Sequence, residues 1–175
     1  VRPDETLPPG GFLQVSGILG LHGMTNGYAK VERVGGTAPW YAYGVVNDQK
    51  NSDGSFVPPQ PATTAPVSSL TVPVVIEASV YTSELVATNW SSRARTLTLS
   101  FVSDQVDRPD HTASVSLPLG AGAQVILPNV FAYFREHAAP GIGPAGSGYV
   151  GALFVTSSDG DLSGIVVGAR TSSPG

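Results

Sequence analysis

The chain contains no cysteine. That removes disulfide frameworks and thiolate metal sites together, and leaves stability to packing. Charge is scarce as well. Only 13% of residues are Asp, Glu, Lys or Arg, against about 25% in an ordinary soluble protein. The net charge of −4 is spread along the chain, with no basic run and no interleaving of basic and aromatic residues. Nucleic acid is therefore not an expected partner. No apolar stretch approaches the roughly 18–20 residues of a helix that crosses a bilayer, so no membrane span is expected. Lysine is sparse while Thr, Ser and Gly abound. That composition points to a secreted protein, extracellular or on a cell surface.

What is present suits short strands and many turns. Hydrophobic residues make up 41% of the chain, enough to build a core. There are 21 Gly and 15 Pro, which punctuate strands and leave little room for helix.

The organising feature is a repeat. Leu117-Pro118-Leu119-Gly120-Ala121-Gly122-Ala123-Gln124-Val125 echoes Leu7-Pro8-Pro9-Gly10-Gly11-Phe12-Leu13-Gln14-Val15. Both copies run into an apolar segment and then a Gly-Tyr pair, Gly27-Tyr28 and Gly148-Tyr149. Each pair opens an alternating run, followed by a second one.

Taken in order, residues 1–6 are polar and 7–11 form a turn. Residues 12–21 are expected to hold a short strand and one helical turn, and 28–34 a strand with a bulge or twisted edge. Trp40 to Val46 is aromatic and β-branched, hence a strand. Residues 61–69, Pro-Ala-Thr-Thr-Ala-Pro-Val-Ser-Ser, read as a linker between a first part, 1–60, and a second, 70–175.

Strands are expected at 70–78, 81–90, 95–102, 112–117 and 124–127. Leu97, Leu99 and Phe101 share one face, as do Ala113, Val115 and Leu117. Pro128 to His137 is the one helix candidate, with Pro128 at its first position and Val130, Phe131 and Phe134 on its apolar side. Strands at 149–156 and 162–169 flank Ser157-Ser158-Asp159-Gly160-Asp161, and Asp-Gly between two such runs signals a hairpin.

This order of elements resembles the tandem immunoglobulin-like β-sandwich repeats of secreted and cell-surface proteins of environmental bacteria. Val86-Ala87-Thr88-Asn89-Trp90-Ser91-Ser92, Leu97-Thr98-Leu99-Ser100-Phe101 and Leu117-Pro118-Leu119-Gly120 carry the resemblance. In the first copy, Gly44-Val45-Val46-Asn47 and Ser55-Phe56-Val57-Pro58 do so. The family has no established activity, so the resemblance transfers no catalytic residue. It implies that 1–60 is the second half of one module. Residues 70–175 would then be a module lacking the exit strand that corresponds to 55–58.

No residue set calls for chemistry. Asp48, Asn51, Asp53 and Gly54 share a loop with oxygen ligands, but Gln49 and Gln60 stand where the calcium-loop template needs acidic residues. His22, His111 and His137 are far apart, and no zinc-binding pair of histidines is present. No nucleophile elbow appears. Gly141 to Gly146 imitates a nucleotide loop, yet Pro144 lies inside it and a strand follows. Glu77, Glu84 and Glu136 have no spacing that pairs them. Asp159 and Asp161 are explained by turn chemistry. Two surface features remain. Trp40, Tyr41 and Tyr43 could stack on a sugar where they face outward, but alternation puts Trp40 and Ala42 on one face and Tyr41 and Tyr43 on the other, and one face should be core. Asn89-Trp90-Ser91 is a glycosylation sequon.

The expected fold class is all-β: immunoglobulin-like β-sandwich modules with one short helix near 128–137. The expected function is non-catalytic: an extracellular structural module, a subunit of a filament or cell-surface assembly joined by β-strand contacts between copies or neighbouring modules. No enzyme activity, cofactor or metal is expected. The runner-up is a carbohydrate-binding or adhesion module accessory to a secreted enzyme, with polysaccharide as partner.

Overall fold

The computed structural model describes residues 4–47, 54–60, 66–105, 107 and 111–173. The chain divides into two compact units, Val1–Pro59 and Gln60–Gly175. Most of the expected linker, residues 61–65, lies outside the described residues. Its last part belongs to the second unit: Val67 packs against that unit's core, and its carbonyl accepts from Leu162 N at 2.7 Å.

The second unit is an antiparallel β-sandwich. Its strands are β3 (Leu70–Ala78), β4 (Tyr81–Asn89), β5 (Arg95–Ser103), β6 (Thr112–Leu119), β7 (Gln124–Leu127), β8 (Tyr149–Ser157) and β9 (Ile165–Ser172), with helix α1 (Val130–Glu136) between β7 and β8. Hydrogen bonding follows the path β6-β5-β8-β3-β4-β7, and β9 lies on the other side of β4. β3 and β4 pair only at Glu77–Thr82 and Ala78–Tyr81. The path folds over there. One layer is β6-β5-β8-β3 and the other is β7-β4-β9, and side chains of both enter a single core.

That core was readable as alternation. Leu97 pairs with Leu117, Leu99 with Val115 and Phe101 with Ala113 across β5 and β6, and all six are buried. Each fully buried Leu, Val or Phe contributes roughly 1.5–3 kcal/mol relative to exposure. The outward residues of the same strands are Thr96, Thr98, Ser100 and Val102 on β5, and Thr112, Ser114, Ser116 and Pro118 on β6. β6 pairs on one side only, which is where a proline can sit without breaking a ladder.

Helix α1 closes the core with Val130, Phe131 and Phe134, each 0% exposed. Phe131 meets Phe101 edge-on at 4.9 Å and stacks on Tyr149 at 5.1 Å between ring centroids. Pro128 does not open the helix as the sequence suggested. Asn129 is the cap, and its Oδ1 accepts from Phe131 N at 2.9 Å and Ala132 N at 3.1 Å. An asparagine satisfies two of the unpaired N–H groups at the helix start, whereas a proline satisfies none. The far end closes with Ala138 N on Arg135 O and Ala139 N on Phe134 O, both 2.9 Å. This is a Schellman closure, with Ala138 at φ 50° where glycine is usual.

The expected β8–β9 hairpin is absent. β8 has β5 on one edge and β3 on the other, so it has no edge left to offer. β9 pairs with β4 instead, from Thr82–Ser172 to Asn89–Ile165. The Asp159-Gly160 turn is a crossover between layers.

The first unit is different in kind. Its described residues form a two-stranded sheet of β1 (Gly44–Asn47) and β2 (Gly54–Val57), paired Val45–Phe56 and Val46–Ser55. A turn closes from Gly11 N to Pro8 O at 2.8 Å, with Gly10 at φ 67°, and one 3-10 turn spans Gly20–His22. The strands expected at 12–21 and 28–34 do not form, and the one expected at 40–46 is reduced to β1. Apolar alternation creates a strand only where an edge receives its N–H and C=O groups. No described residue of this unit is buried.

Candidate functional site

Three clusters hold the second unit's polar residues, and each has a structural role. The first joins β3 to α1. Glu77, 9% exposed, accepts from Asn129 Nδ2 at 2.9 Å and Arg135 Nη1 at 3.0 Å, and Arg135 Nη2 donates to its other oxygen. Arg135 Nε reaches Gly143 O at 2.8 Å, and Gly143 N donates to Tyr149 Oη at 2.5 Å. The bonds from Arg135 hold the Glu77 carboxyl below its ordinary range, against the opposing cost of burial, with help from Asn129.

The second cluster ties the crossover to β5. Arg95 is buried and donates to Asp159 through Nη1 and to Asp161 Oδ2 at 3.0 Å through Nη2. Ser163 N and Oγ bond the Asp161 carboxylate at 2.8 and 2.9 Å. These two bonds, and then Arg95, lower its pKa to about 2. Ser157 Oγ at 2.7 Å is the largest cause of the lowered Asp159 pKa. The two carboxylates therefore do more than shape a turn: they neutralise a buried guanidinium.

The third cluster is centred on Asn89, which is 0% exposed. Its Nδ2 donates to the carbonyls of Arg93 at 2.7 Å, Gly120 at 3.0 Å and Leu119 at 3.3 Å, while its Oδ1 accepts from Ser91 N and Oγ. The sequon amide thus holds the repeated Leu-Pro-Leu-Gly turn against β4. In the folded unit that nitrogen has no room for a sugar. Nearby, Gln124 of the repeat donates to Thr88 Oγ1 at 3.0 Å.

The remaining acidic and histidine candidates are not gathered. Glu84 lies 3.6 Å from Arg170, and Glu136 is exposed. His137 packs on Tyr133 with ring centroids 4.0 Å apart. Among the described residues, no group of three or more His, Asp or Glu is placed to hold a metal. Asp48, Asn51 and Asp53 lie outside the described residues; Gly54 opens β2. No helix among the described residues is long and apolar enough to cross a membrane.

The outward aromatics lie in the first unit. Trp40, Tyr41 and Tyr43 are 44%, 65% and 52% exposed. Tyr41 and Tyr43 are 6.1 Å apart, and Tyr43 and Phe56 5.4 Å. The expectation that one face of this strand would be core is corrected: both faces are open. Phe56, which the sequence reading left out, joins the row because Val45–Phe56 pairing places it diagonally from Tyr43. Phe56 two residues from Pro58 was the available signal.

A second open surface is the outer face of β6-β5-β8-β3. The rows run Ser114–Ser100–Phe154–Thr71 and Ser116–Thr98–Thr156 across the strands, with Ser100 and Ser114 hydroxyls 3.0 Å apart. Its end opens into a depression of about 390 Å³, lined in part by Thr96, Pro118, Ser158 and Asp159.

Fold and clusters together define a β-sandwich unit with an open β-rich companion, in which the polar clusters brace the structure and the outward surfaces are aromatic or hydroxyl-bearing. No protein family, no curated protein and no solved structure matches the chain.

Proposed function

We propose that the chain is a non-catalytic structural module of an extracellular or cell-surface assembly, in which copies meet through β-strand contacts. The observation that carries this reading is the unequal fate of the repeat. Leu117, Phe131, Phe134 and Tyr149 are sealed in the second unit, while Leu7, Leu21, Met24 and Tyr28, their counterparts in the first, are 47%, 68%, 47% and 43% exposed. A two-stranded sheet cannot cover such a set, and apolar surface of this kind marks a site of association.

Free edges support the same reading. Among the described residues β6, β7 and β9 each pair on one side only, and β6 carries no charge to deter a further strand. We read the second unit as an immunoglobulin-like module of unusual order. The ladders β4–β7 and β5–β8 correspond to the B–E and C–F ladders of that topology. The terminal strands have exchanged places: β3 lies beside β8 and β9 beside β4. The secreted location rests on composition.

The test is the assembly state. Light scattering and electron microscopy of the full chain over a concentration series should show oligomers or filaments, and Leu21→Asp with Tyr28→Asp should dissolve them. A chain that stays monomeric at every concentration would sink the proposal.

The exposed Tyr41–Tyr43–Phe56 row favours a second reading, a carbohydrate-binding or adhesion module. Retention on polysaccharides that is lost in Tyr41→Ala and Tyr43→Ala would establish it; retention unaffected by both would remove this row from consideration.

A further inference from the structure

We propose that the outer face of the β6-β5-β8-β3 layer binds an extended, neutral polysaccharide. This goes beyond the assembly reading, and it involves a different unit and surface from the Tyr41 row. The solvent face of an antiparallel sheet ordinarily carries charged side chains that keep it soluble and unpaired. Here the outward positions of β5, β6 and β8 between Thr96 and Thr156 carry Ser and Thr, with Val102, Ala152, Phe154 and Pro118 as the exceptions. The face has no ionisable group, although charged residues are present elsewhere in the unit.

That chemistry selects the partner. A polyanion or a lipid headgroup needs opposite charge, and there is none. A protein partner needs buried aromatic, Met or Arg anchors and tends to avoid Ser, whereas this face presents one aromatic among hydroxyls. A small molecule needs enclosure, and a sheet face gives none. A neutral sugar polymer fits each feature. Ser and Thr hydroxyls both donate and accept, as sugar hydroxyls do. Phe154, 40% exposed, stands between Ser100 and Thr71 and offers its apolar ring to the C–H face of a pyranose. The strands repeat the hydroxyls about 4.8 Å apart across the sheet and about 6.8 Å apart along it, which suits a polymer rather than a single residue. The depression at Thr96, Pro118 and Asp159 prolongs the track at one end, and there Asp159 adds an acceptor for sugar hydroxyls.

The experiment is depletion of the full chain from solution by suspended cellulose, chitin and neutral β-glucan, with alginate as the charged control. Retention is expected on at least one neutral polymer and not on alginate. It should change less than about twofold when salt is raised to about 1 M, since the face has no charge to screen. Phe154→Ala should weaken retention about tenfold, and Thr98→Lys with Ser116→Glu should abolish it. These exposed substitutions leave the core intact, which an unchanged melting temperature will verify. Tyr41→Ala should leave this retention in place, separating it from the first unit's aromatic row. The proposal is overturned by no retention on any neutral polymer, by retention that salt removes, or by retention that survives both face variants. It is equally overturned if the face variants abolish self-association instead, which would assign the surface to a second copy.

Discussion

The chain presents the same motif twice, and the two copies end in different states. In the second unit, Leu117 of the motif is core and Gln124 bonds Thr88. In the first, Leu7 is exposed and Gln14 reaches only the neighbouring Ser16, at 3.5 Å. Both copies make a turn, and both make a helical turn shortly after it: α1 in the second, Gly20–His22 in the first. What differs is the surroundings. In the second unit the strands before the motif, β3 to β6, supply edges and a core face. The described residues of the first unit include no such set. Turns and helical turns satisfy their hydrogen bonds locally, and strands cannot.

The largest test of this comparison is a matched pair of truncations. Phe131→Ala should destabilise the second unit by roughly 3–5 kcal/mol. Leu21→Ala, at the equivalent place, should shift unfolding by less than about 0.5 kcal/mol in dilute solution, as surface changes do. Denaturant titration with a probe in each unit measures both. A large effect of Leu21→Ala would show that its face is covered in solution.

Next come the ion pairs. Arg135→Met leaves Glu77 buried beside an apolar chain and should cost about 3 kcal/mol. The first unit's pair, Lys30 and Glu32 at 2.6 Å, is more than half exposed on both sides, and Lys30→Met should cost at most about 1 kcal/mol. Equal costs would contradict the difference in burial.

Acid should separate the units in the same way. Glu77 has a folded pKa below its unfolded value, so its stabilisation is present above the unfolded value, about 4.3, and is lost as pH falls through the folded one. Asp161, with its folded value of about 2, follows the same sign over a window reaching lower. The second unit's melting temperature should therefore fall below about pH 4, and less so in Glu77→Gln, whose starting stability is lower. A wild-type acid profile identical to that of Glu77→Gln would remove Glu77 from the account.

The smallest effect concerns the ends of the helical turns. Gly23 follows Gly20–His22 at φ 65°, while Ala138 takes the left-handed position after α1. Ala138→Gly should stabilise the second unit by about 1 kcal/mol, since a Cβ disfavours that conformation. A loss of stability would mean that Ala138's methyl group packs usefully there.

Much of the second unit was legible because its signals are local. The period-two pattern of Leu97, Leu99 and Phe101 marks a half-buried strand in any context. The spacing of Val130, Phe131 and Phe134 marks a helix face. Asp159-Gly160 misled for the opposite reason: it specifies a turn, but not whether the strands on either side pair. Asn89 looked like a modification site because a sequon is three residues of sequence, while its burial depends on carbonyls of Leu119 and Gly120 thirty positions away.

By itself, the sequence determined where turns fall, which residues can face a core, that no cysteine chemistry takes part, and that one short apolar segment is helical. Each follows from backbone sterics or from the period of apolar residues. Only the tertiary structure decided that β9 joins β4 and not β8, that Arg95 is neutralised by Asp159 and Asp161, and that one copy of the motif is buried and the other open. Those outcomes depend on which edge and which face remain available once other strands are in place, and availability is a property of the assembled layers rather than of any segment.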